Sequence, residues 1–280
     1  MLKKSKIAAA ILLGGVLGGV VAHDISHFAR ADGAQPASPF TPAQEARIGA
    51  VAADYLIAHP EVLVKVSEAL QARQEAAAMK RLTAGALAFQ TELLHDTKAP
   101  SYGPADAKVV VTLFFDYQCV YCSHLAPVLT KVMKANPQVR FVFREWPIFG
   151  DRWPASRLAA ETGLKVWQQK GAEAYLAYHN KLYATGHNEG ALTANDIRTA
   201  AGAVKVDPSA TAKDKDVQAE LTLTGQLARN IGLTGTPGLV VMPATGATAE
   251  TVTVIPGMTD RAVLQMAINN AAGLTDPVKP

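Results

Sequence analysis

The chain has 280 residues, of which 49% are hydrophobic and 18% are charged, and its formal net charge is +3. This composition is typical of a globular protein with a sizeable core and excludes a largely disordered chain. The positive excess lies in the first 31 residues, and no long basic block follows, so we expect no nucleic acid partner.

The N-terminal segment has the pattern of an export signal. Lys3, Lys4 and Lys6 precede an unbroken apolar run at 7–22, and a basic stretch followed by a short apolar stretch is typical of secretory signals. The run is shorter than the roughly 18 to 20 residues of a membrane span. We therefore predict a signal peptide at 1–31, with an uncleaved membrane anchor as the alternative. A polar, Pro-containing linker at 32–39 follows.

Residues 40–97 carry three successive helical patterns. Thr41-Pro42-Ala43-Gln44 gives a helix start, with Thr as the N-cap and Pro at the first helical position. Apolar residues then recur at helical spacing, and Pro60 separates the first pattern from the second. Because this segment is too thin to form a core alone, it must pack against another surface. We predict a helical N-terminal oligomerisation domain at 40–97; an arm folded on its own chain is the alternative.

An α/β pattern follows a turn-rich boundary near residue 99. The continuous apolar run Val109–Phe115 predicts a central strand buried on both faces. The later predicted elements are a helix at 119–135 interrupted at Pro127, a strand at 139–143, helices over 154–231, strands at 239–242 and 251–255, and a helix at 259–272. This order predicts an α/β thioredoxin-like fold at 98–280, with a helical insertion at about 152–232.

The two cysteines of the chain, Cys119 and Cys122, follow the central strand and open a helix. A thiolate is the nucleophile in disulfide chemistry, and a free cysteine is little ionised at neutral pH. At a helix N-terminus, unpaired N–H groups and the helix dipole stabilise a negative sulfur. We therefore predict that Cys119 is the attacking thiol. Cys122, one turn further, is the predicted resolving thiol.

A metal site is the main alternative for this cysteine pair. Zinc usually takes four protein ligands, and the chain has no second cysteine pair. We therefore expect no cofactor and no metal as the main role. A module that holds Cu(I) on the two sulfurs, or that holds client proteins, remains an open alternative.

A second motif lies just before a predicted strand, at Thr236 and Pro237. Pro237 alone would indicate only a turn. A CxxC pair upstream makes a cis-proline loop beside the sulfurs the favoured interpretation. Such a loop would leave backbone groups of Thr236 free to pair with an extended substrate.

Three segments resemble the DsbA-related thioredoxin-like family: 114–122 (FFDYQCVYC), 145–150 (EWPIFG) and 234–237 (TGTP). Residues 40–49 and 55–63 resemble the helical N-terminal domain of its suppressor-of-copper-sensitivity C (ScsC) and BcfH type disulfide isomerases. The resemblance implies a bacterial periplasmic protein that forms, reduces or reshuffles disulfides in protein substrates, in some members under copper stress.

The same resemblance implies that the N-terminal helices mediate self-association, so we expect a homo-oligomer through 40–97 and a membrane-bound redox partner. Disulfide isomerisation is the favoured activity, because linked active sites raise the effective concentration at one client. A monomeric DsbA-like dithiol oxidase is the other enzymatic hypothesis.

One position departs from the family pattern. Members often carry a glutamate six residues before the first cysteine, where this chain has Leu113. Asp116 and Glu145 are the candidates for a proton relay, with solvated or capping roles as the alternative. We expect the helix terminus to be the main stabiliser of the thiolate, and the protein to be a moderate oxidant. His179 and the other scattered histidines are predicted to be structural or surface residues.

Overall fold

The computed structural model describes residues 38–209 and 214–274. The predicted signal at 1–31, and with it the membrane-anchor alternative, lies outside them. In these ranges the elements are α1 (Pro42–Ala58), α2 (Glu61–Ala88), α3 (Gln90–His95), β1 (Ser101–Tyr102), β2 (Val109–Phe115), α4 (Val120–Ala135), β3 (Arg140–Glu145), α5 (Pro154–Tyr183), α6 (Ala194–Ala203), α7 (Lys215–Ile231), β4 (Gly238–Pro243), β5 (Thr253–Ile255) and α8 (Arg261–Ala271). Within the same ranges, none of the helices combines the length and the apolar character needed to span a bilayer.

The chain divides into two compact units, with the division between Val66 and Ser67. In the first unit, α1 begins with the predicted capping box. The Thr41 hydroxyl accepts from the Gln44 N–H, and the Gln44 side chain accepts from the Thr41 N–H. No residue of α1 is buried, as expected of a segment too thin to form a core of its own.

The second unit contains a five-stranded sheet in the order β1-β3-β2-β4-β5. β2 is parallel to β3 and antiparallel to β4, and all seven of its residues are buried. Alternate β2 side chains enter two cores, one shared with α4, α5 and α8 and the other with α7. The predicted central strand and the thioredoxin-like fold are confirmed.

The end of α2 and all of α3 belong to this second unit. Leu82, Ala86 and Leu93 lie in the same hydrophobic core as Phe114 of β2. Gly85 permits this packing, since a Cβ at that position would clash with the backbone of Ile231. The structural division therefore falls earlier than residue 97, the predicted end of the N-terminal domain.

The helical insertion is formed by α5, α6 and α7, between β3 and β4. α5 has a kink at Gly171, whose φ of 75° favours glycine. The predicted interruption at Pro127 is wrong: α4 runs through this proline, because Leu125 and Leu129 hold the helix on the core from both sides. The sequence pattern also missed β1, which at two residues is too short to show a period.

Candidate active site

The cysteine pair lies where β2 passes into α4. Cys119 is the N-cap of α4, in an extended conformation, and its N–H donates to the Asp116 carbonyl at 3.1 Å. Both thiols are free. Cys119 is 4% exposed and Cys122 is 3% exposed, so only a small part of either residue meets solvent. The expected placement of Cys119 at a helix N-terminus is thus observed.

The Thr236-Pro237 loop lies directly against the first cysteine. The Cys119 Sγ donates to the Thr236 carbonyl oxygen at 3.2 Å, and the Thr236–Pro237 peptide bond is cis. Sheet register explains the meeting of motifs that are 117 residues apart, because β4 pairs with β2 so that Gly238 lies opposite Phe114. The loop before β4 therefore reaches the end of β2, where the cysteines follow.

The two sulfurs have opposite acidities. The pKa of Cys119 falls from 9.0 to about 6, chiefly because the Cys122 thiol donates a hydrogen bond to the thiolate. Burial opposes this change, while the Thr236 hydroxyl and the N–H groups of Cys122 and Tyr121 assist it. Burial and the same hydrogen bond raise the pKa of Cys122 well above its usual value. The helix terminus contributes to the acidity of Cys119, but Cys122 contributes more than the sequence led us to expect.

Titration of the reduced protein should show this acidity. We expect the ultraviolet absorbance of the Cys119 thiolate to appear with a midpoint near pH 6. Cys122→Ala should move the midpoint upward because it removes the strongest stabilising donor, whereas His124→Gln, at an exposed neighbouring position, should not. A wild-type midpoint near 9.0, the ordinary value, would contradict the assignment.

The same pKa change predicts how the stability of the reduced protein depends on pH. Between pH 6 and 9 the folded chain holds less of this proton than the unfolded chain does. The stabilisation by Cys119 therefore grows as pH rises across this window and is lost as pH falls through 6. Denaturant titrations of wild type and Cys119→Ser across these pH values would measure it, and parallel stability profiles would contradict it.

Asp116 is buried and holds the active-site loop. Its carboxylate accepts from the Gln118 N–H at 2.8 Å, the Phe149 N–H at 2.9 Å and the Ser156 hydroxyl at 2.7 Å. Burial nevertheless raises its pKa. With these three donors directed at it, the carboxylate connects the loop after β2 to the start of α5.

Glu145, at the end of β3, is also buried. Its Oε1 accepts from the Tyr117 hydroxyl at 3.1 Å and the Tyr175 hydroxyl at 2.8 Å. Its Oε2 has no partner in the described part of the chain, and burial raises its pKa well above the usual value. Within residues 38–209 and 214–274 neither carboxylate shows a hydrogen bond to a cysteine sulfur, although the backbone N–H of Asp116 donates to the Cys122 sulfur. The proton-relay role of both acids stays a prediction.

An aromatic cluster lies behind the cysteines. Helical spacing predicts that Tyr175, Tyr178 and Tyr183 pack within the insertion, but it does not predict this location. The cluster surrounds His179, whose ring centroid lies 5.1 Å from that of Phe115 and 4.9 Å from that of Tyr183. Tyr175, His179 and Tyr183 follow one another at intervals of four residues on α5, and this spacing was the available signal. His179 was predicted to be either a structural or a surface residue. It is only 1% exposed, which excludes the surface alternative.

Comparison with protein families gives two matches along the chain. The copper resistance protein ScsC N-terminal domain matches residues 44–77, and the DSBA-like thioredoxin domain matches residues 110–269. The second match covers more than half of the chain. No curated protein gave a significant match.

Solved structures include close relatives. BcfH of Salmonella enterica Typhimurium is 45% identical, with a TM-score of 0.72, over 82% of this chain and 96% of that one. ScsC of Proteus mirabilis in a transitional conformation is 26% identical, with a TM-score of 0.55, over 84% and 100%. A periplasmic thioredoxin-like protein of Salmonella enterica serovar Typhimurium is 26% identical, with a TM-score of 0.55, over 66% and 96%. The chain therefore belongs to the DsbA-like thioredoxin family of thiol–disulfide oxidoreductases, and within it to the ScsC and BcfH type.

Proposed function

We propose that this chain is a periplasmic protein disulfide isomerase that works as a homo-oligomer. The observation that carries the proposal is the Cys119 sulfur, with its lowered pKa, at the start of α4 and 3.2 Å from the Thr236 carbonyl. Similarity to a periplasmic thioredoxin-like protein and the predicted signal at 1–31 support the location. The family match to a copper resistance protein supports a link to copper stress. A membrane-bound redox partner remains an expectation.

The proposed reaction starts at Cys119. Its thiolate attacks one sulfur of a substrate disulfide, forming the Cys119–substrate bond and releasing the other substrate sulfur as a thiolate. A different substrate thiolate then attacks the mixed disulfide and releases Cys119, so that the substrate is rearranged without net oxidation. Alternatively, Cys122 attacks the Cys119 sulfur and releases the substrate as a dithiol. Backbone groups of Thr236, before Pro237, would pair with an extended substrate beside the sulfurs.

The oligomer part of the proposal depends on an exposed apolar face. Ile48, Val51 and Tyr55 lie three and four residues apart on α1 and are 50%, 50% and 56% exposed. Leu63, Val66 and Leu70 repeat this spacing on α2 and are equally open to solvent. Exposed apolar residues along one side of a helix, as on α1, are typical of protein interfaces. Association of copies through this face would place several active sites around one misfolded client and raise their effective concentration.

Lysines on this face should separate the copies and reduce isomerisation. For the triple variant Ile48→Lys, Val51→Lys and Tyr55→Lys, we expect a monomeric sedimentation mass and at least about a tenfold loss of scrambled-ribonuclease reactivation. Oxidation of a small dithiol peptide, which needs one active site, should be unchanged. Ile57→Lys, on the opposite side of α1, is the matched control.

Other outcomes would replace the proposal. A monomeric wild-type protein that oxidises dithiols but does not reactivate scrambled ribonuclease would be a dithiol oxidase. A protein that binds copper stoichiometrically without exchanging disulfides would be a copper-binding module. A triple variant that retains both its mass and its isomerase activity would exclude this face as the interface.

A further inference from the structure

The residue before the first cysteine is held by the helical insertion. Gln118 is fully buried, although it is the direct neighbour of Cys119 in the active-site turn. Its carbonyl oxygen accepts from the Glu189 N–H at 2.9 Å, and its side-chain Oε1 accepts from the Gly190 N–H at 2.8 Å. Both donors belong to the loop between α5 and α6. Two adjacent N–H groups of the insertion therefore bind one residue of the active-site turn.

The backbone of this loop has an uncommon conformation. Glu189 and Gly190 have φ angles of 49° and 99°, and residues other than glycine rarely adopt positive φ. Such a conformation persists where surrounding contacts compensate for its cost, and the two hydrogen bonds to Gln118 are contacts of this kind. A Cβ at position 190 would also lie 2.9 Å from the Trp153 Nε1. The loop is thus fixed by Gln118 on one side and by Trp153 on the other.

The Gly190 hydrogen bond sets the orientation of the Gln118 amide. An N–H group needs an acceptor, so the side-chain oxygen must face Gly190 and the Nε2 must face away. The Nε2 is buried and has no partner within residues 38–209 and 214–274, and an unpartnered buried donor costs stability. Since the donor of this side chain is unused, its contribution to the fold is to accept from the loop.

Gln118 is also held from inside the active-site turn. Its N–H donates to the Asp116 Oδ1 at 2.8 Å, and the Cys119 N–H donates to the Asp116 carbonyl at 3.1 Å. The Tyr183 hydroxyl, at the end of α5, donates to the same carbonyl at 3.2 Å. The backbone of the turn that carries Cys119 is therefore fixed jointly by its own hydrogen bonds and by those of the insertion.

We propose that Gln118 is a positioning residue for Cys119, and that the loop at Glu189 and Gly190 holds it in place. This inference depends on the proposed thiol–disulfide exchange and concerns the nucleophile of its first step. The Cys119 sulfur meets Thr236, which belongs to a different element, at 3.2 Å. Hydrogen bonds weaken with distance and misalignment, so they require a defined backbone position. When the loop releases Gln118, the backbone at Cys119 can move, and the sulfur loses donors that stabilise its thiolate.

The acidity of Cys119 tests the proposal in the reduced full-length protein. Gln118→Met removes the acceptor at similar side-chain volume and changes no charge, so an altered titration reports position. We expect the midpoint of the thiolate absorbance to rise by about one pH unit. The rate of attack on dithiobis(nitrobenzoate), an aromatic disulfide that releases a coloured thiolate, should fall by about tenfold near about pH 5, because the thiolate is the nucleophile. Gln138→Met, the same change at an exposed position after α4, should leave both unchanged.

A second variant tests the same contact from the insertion. In Gly190→Ala the new Cβ would meet Trp153 and disfavour the φ of 99°. The Gly190 N–H should then move away from Gln118, and the midpoint should rise as in Gln118→Met. Gly186→Ala is the matched control in the same loop. Its φ of 69° is also positive, but a Cβ there meets open space, and the Gly186 N–H donates to the Tyr183 carbonyl. We expect its midpoint to be that of the wild type.

Hydrogen exchange in the wild type provides a test that needs no variant to fold. Glu189 and Gly190 are exposed residues, yet their amides should be protected, because both donate to Gln118. If both amides exchange as fast as those of an unstructured peptide, the inference is wrong. It is equally wrong if Gln118→Met and Gly190→Ala keep the wild-type midpoint and rate while their melting temperatures fall, and the exchange activity then stands. If the wild type does not react with the aromatic disulfide, the proposed exchange activity itself fails.

Discussion

Replacing Cys119 by serine should abolish disulfide exchange, lowering the rate of scrambled-ribonuclease reactivation by more than about a thousandfold. The reason is that a serine hydroxyl is not ionised at neutral pH and does not attack sulfur, whereas the thiolate is the nucleophile of exchange. Cys122 cannot take over, because burial raises its pKa well above the usual value and little of it is a thiolate at neutral pH. The measurement is the initial rate of reactivation at equal protein concentration.

Cys122→Ser provides the matched comparison, since it makes the same atomic change three residues away. This variant should still perform the first attack and should fail to release a substrate that lacks a second thiol. If Cys119→Ser retains exchange while Cys122→Ser loses it, the assigned roles of the two sulfurs are reversed. Circular dichroism of both variants would check that the fold is intact.

The second large effect is expected on stability, at Arg144 of β3. Its buried guanidinium donates to Glu220 of α7 at 3.1 Å, and also to the Asp96 carboxylate after α3 and to the Glu92 carbonyl. The pKa of Asp96 is lowered by its hydrogen bond with Arg144 although burial opposes this, whereas burial raises the pKa of Glu220. Removal of one partner from a buried ion pair usually costs about 3 to 5 kcal/mol, because the remaining charges lose their compensation. We expect Arg144→Ala to lower the free energy of unfolding by that amount.

Arg157→Ala is the control for this experiment. Arg157 is exposed and donates to Gln218 at 3.2 Å, and we expect its loss to change the free energy of unfolding by less than about 0.5 kcal/mol. Urea titrations of both variants measure the difference. If both variants change the free energy of unfolding by the same small amount, the ion pairs of Arg144 with Asp96 and Glu220 do not stabilise the packing of α3 and α7 on β3.

Much of the fold could be predicted because its main elements have strong local signals. Val109–Phe115 is an uninterrupted β-branched and aromatic run, and such a run is typical of a strand buried on both faces. Thr41 to Gln44 forms the capping box that its residue types predict. In contrast, Pro127 suggested a helix interruption that the core contacts of Leu125 and Leu129 override. The sequence also could not show that Leu82 and Leu94 pack in the core that β2 shares with α7. An apolar stripe on a helix does not specify the surface against which it packs.

The candidate site could be predicted in its parts but not in its electrostatics. Cys119, Cys122, Thr236 and Pro237 were all identified by motif, and the structure brings Cys119 and Thr236 into contact. The hydrogen bond from the Cys122 thiol could not be predicted, because it depends on a side-chain geometry that spacing does not give. His179 was predicted to be a structural or surface residue, and its burial excludes the surface setting.

Cys119 should form a covalent intermediate with protein substrates, and this intermediate can be trapped. Cys122→Ser is incubated with scrambled ribonuclease and quenched with an alkylating reagent, and its adducts are mapped by mass spectrometry without reduction. We expect a mixed disulfide through Cys119 that disappears on reduction and is absent from Cys119→Ser. Recovery of the variant with Cys119 fully alkylated and no substrate attached would show that Cys119 is not the nucleophile.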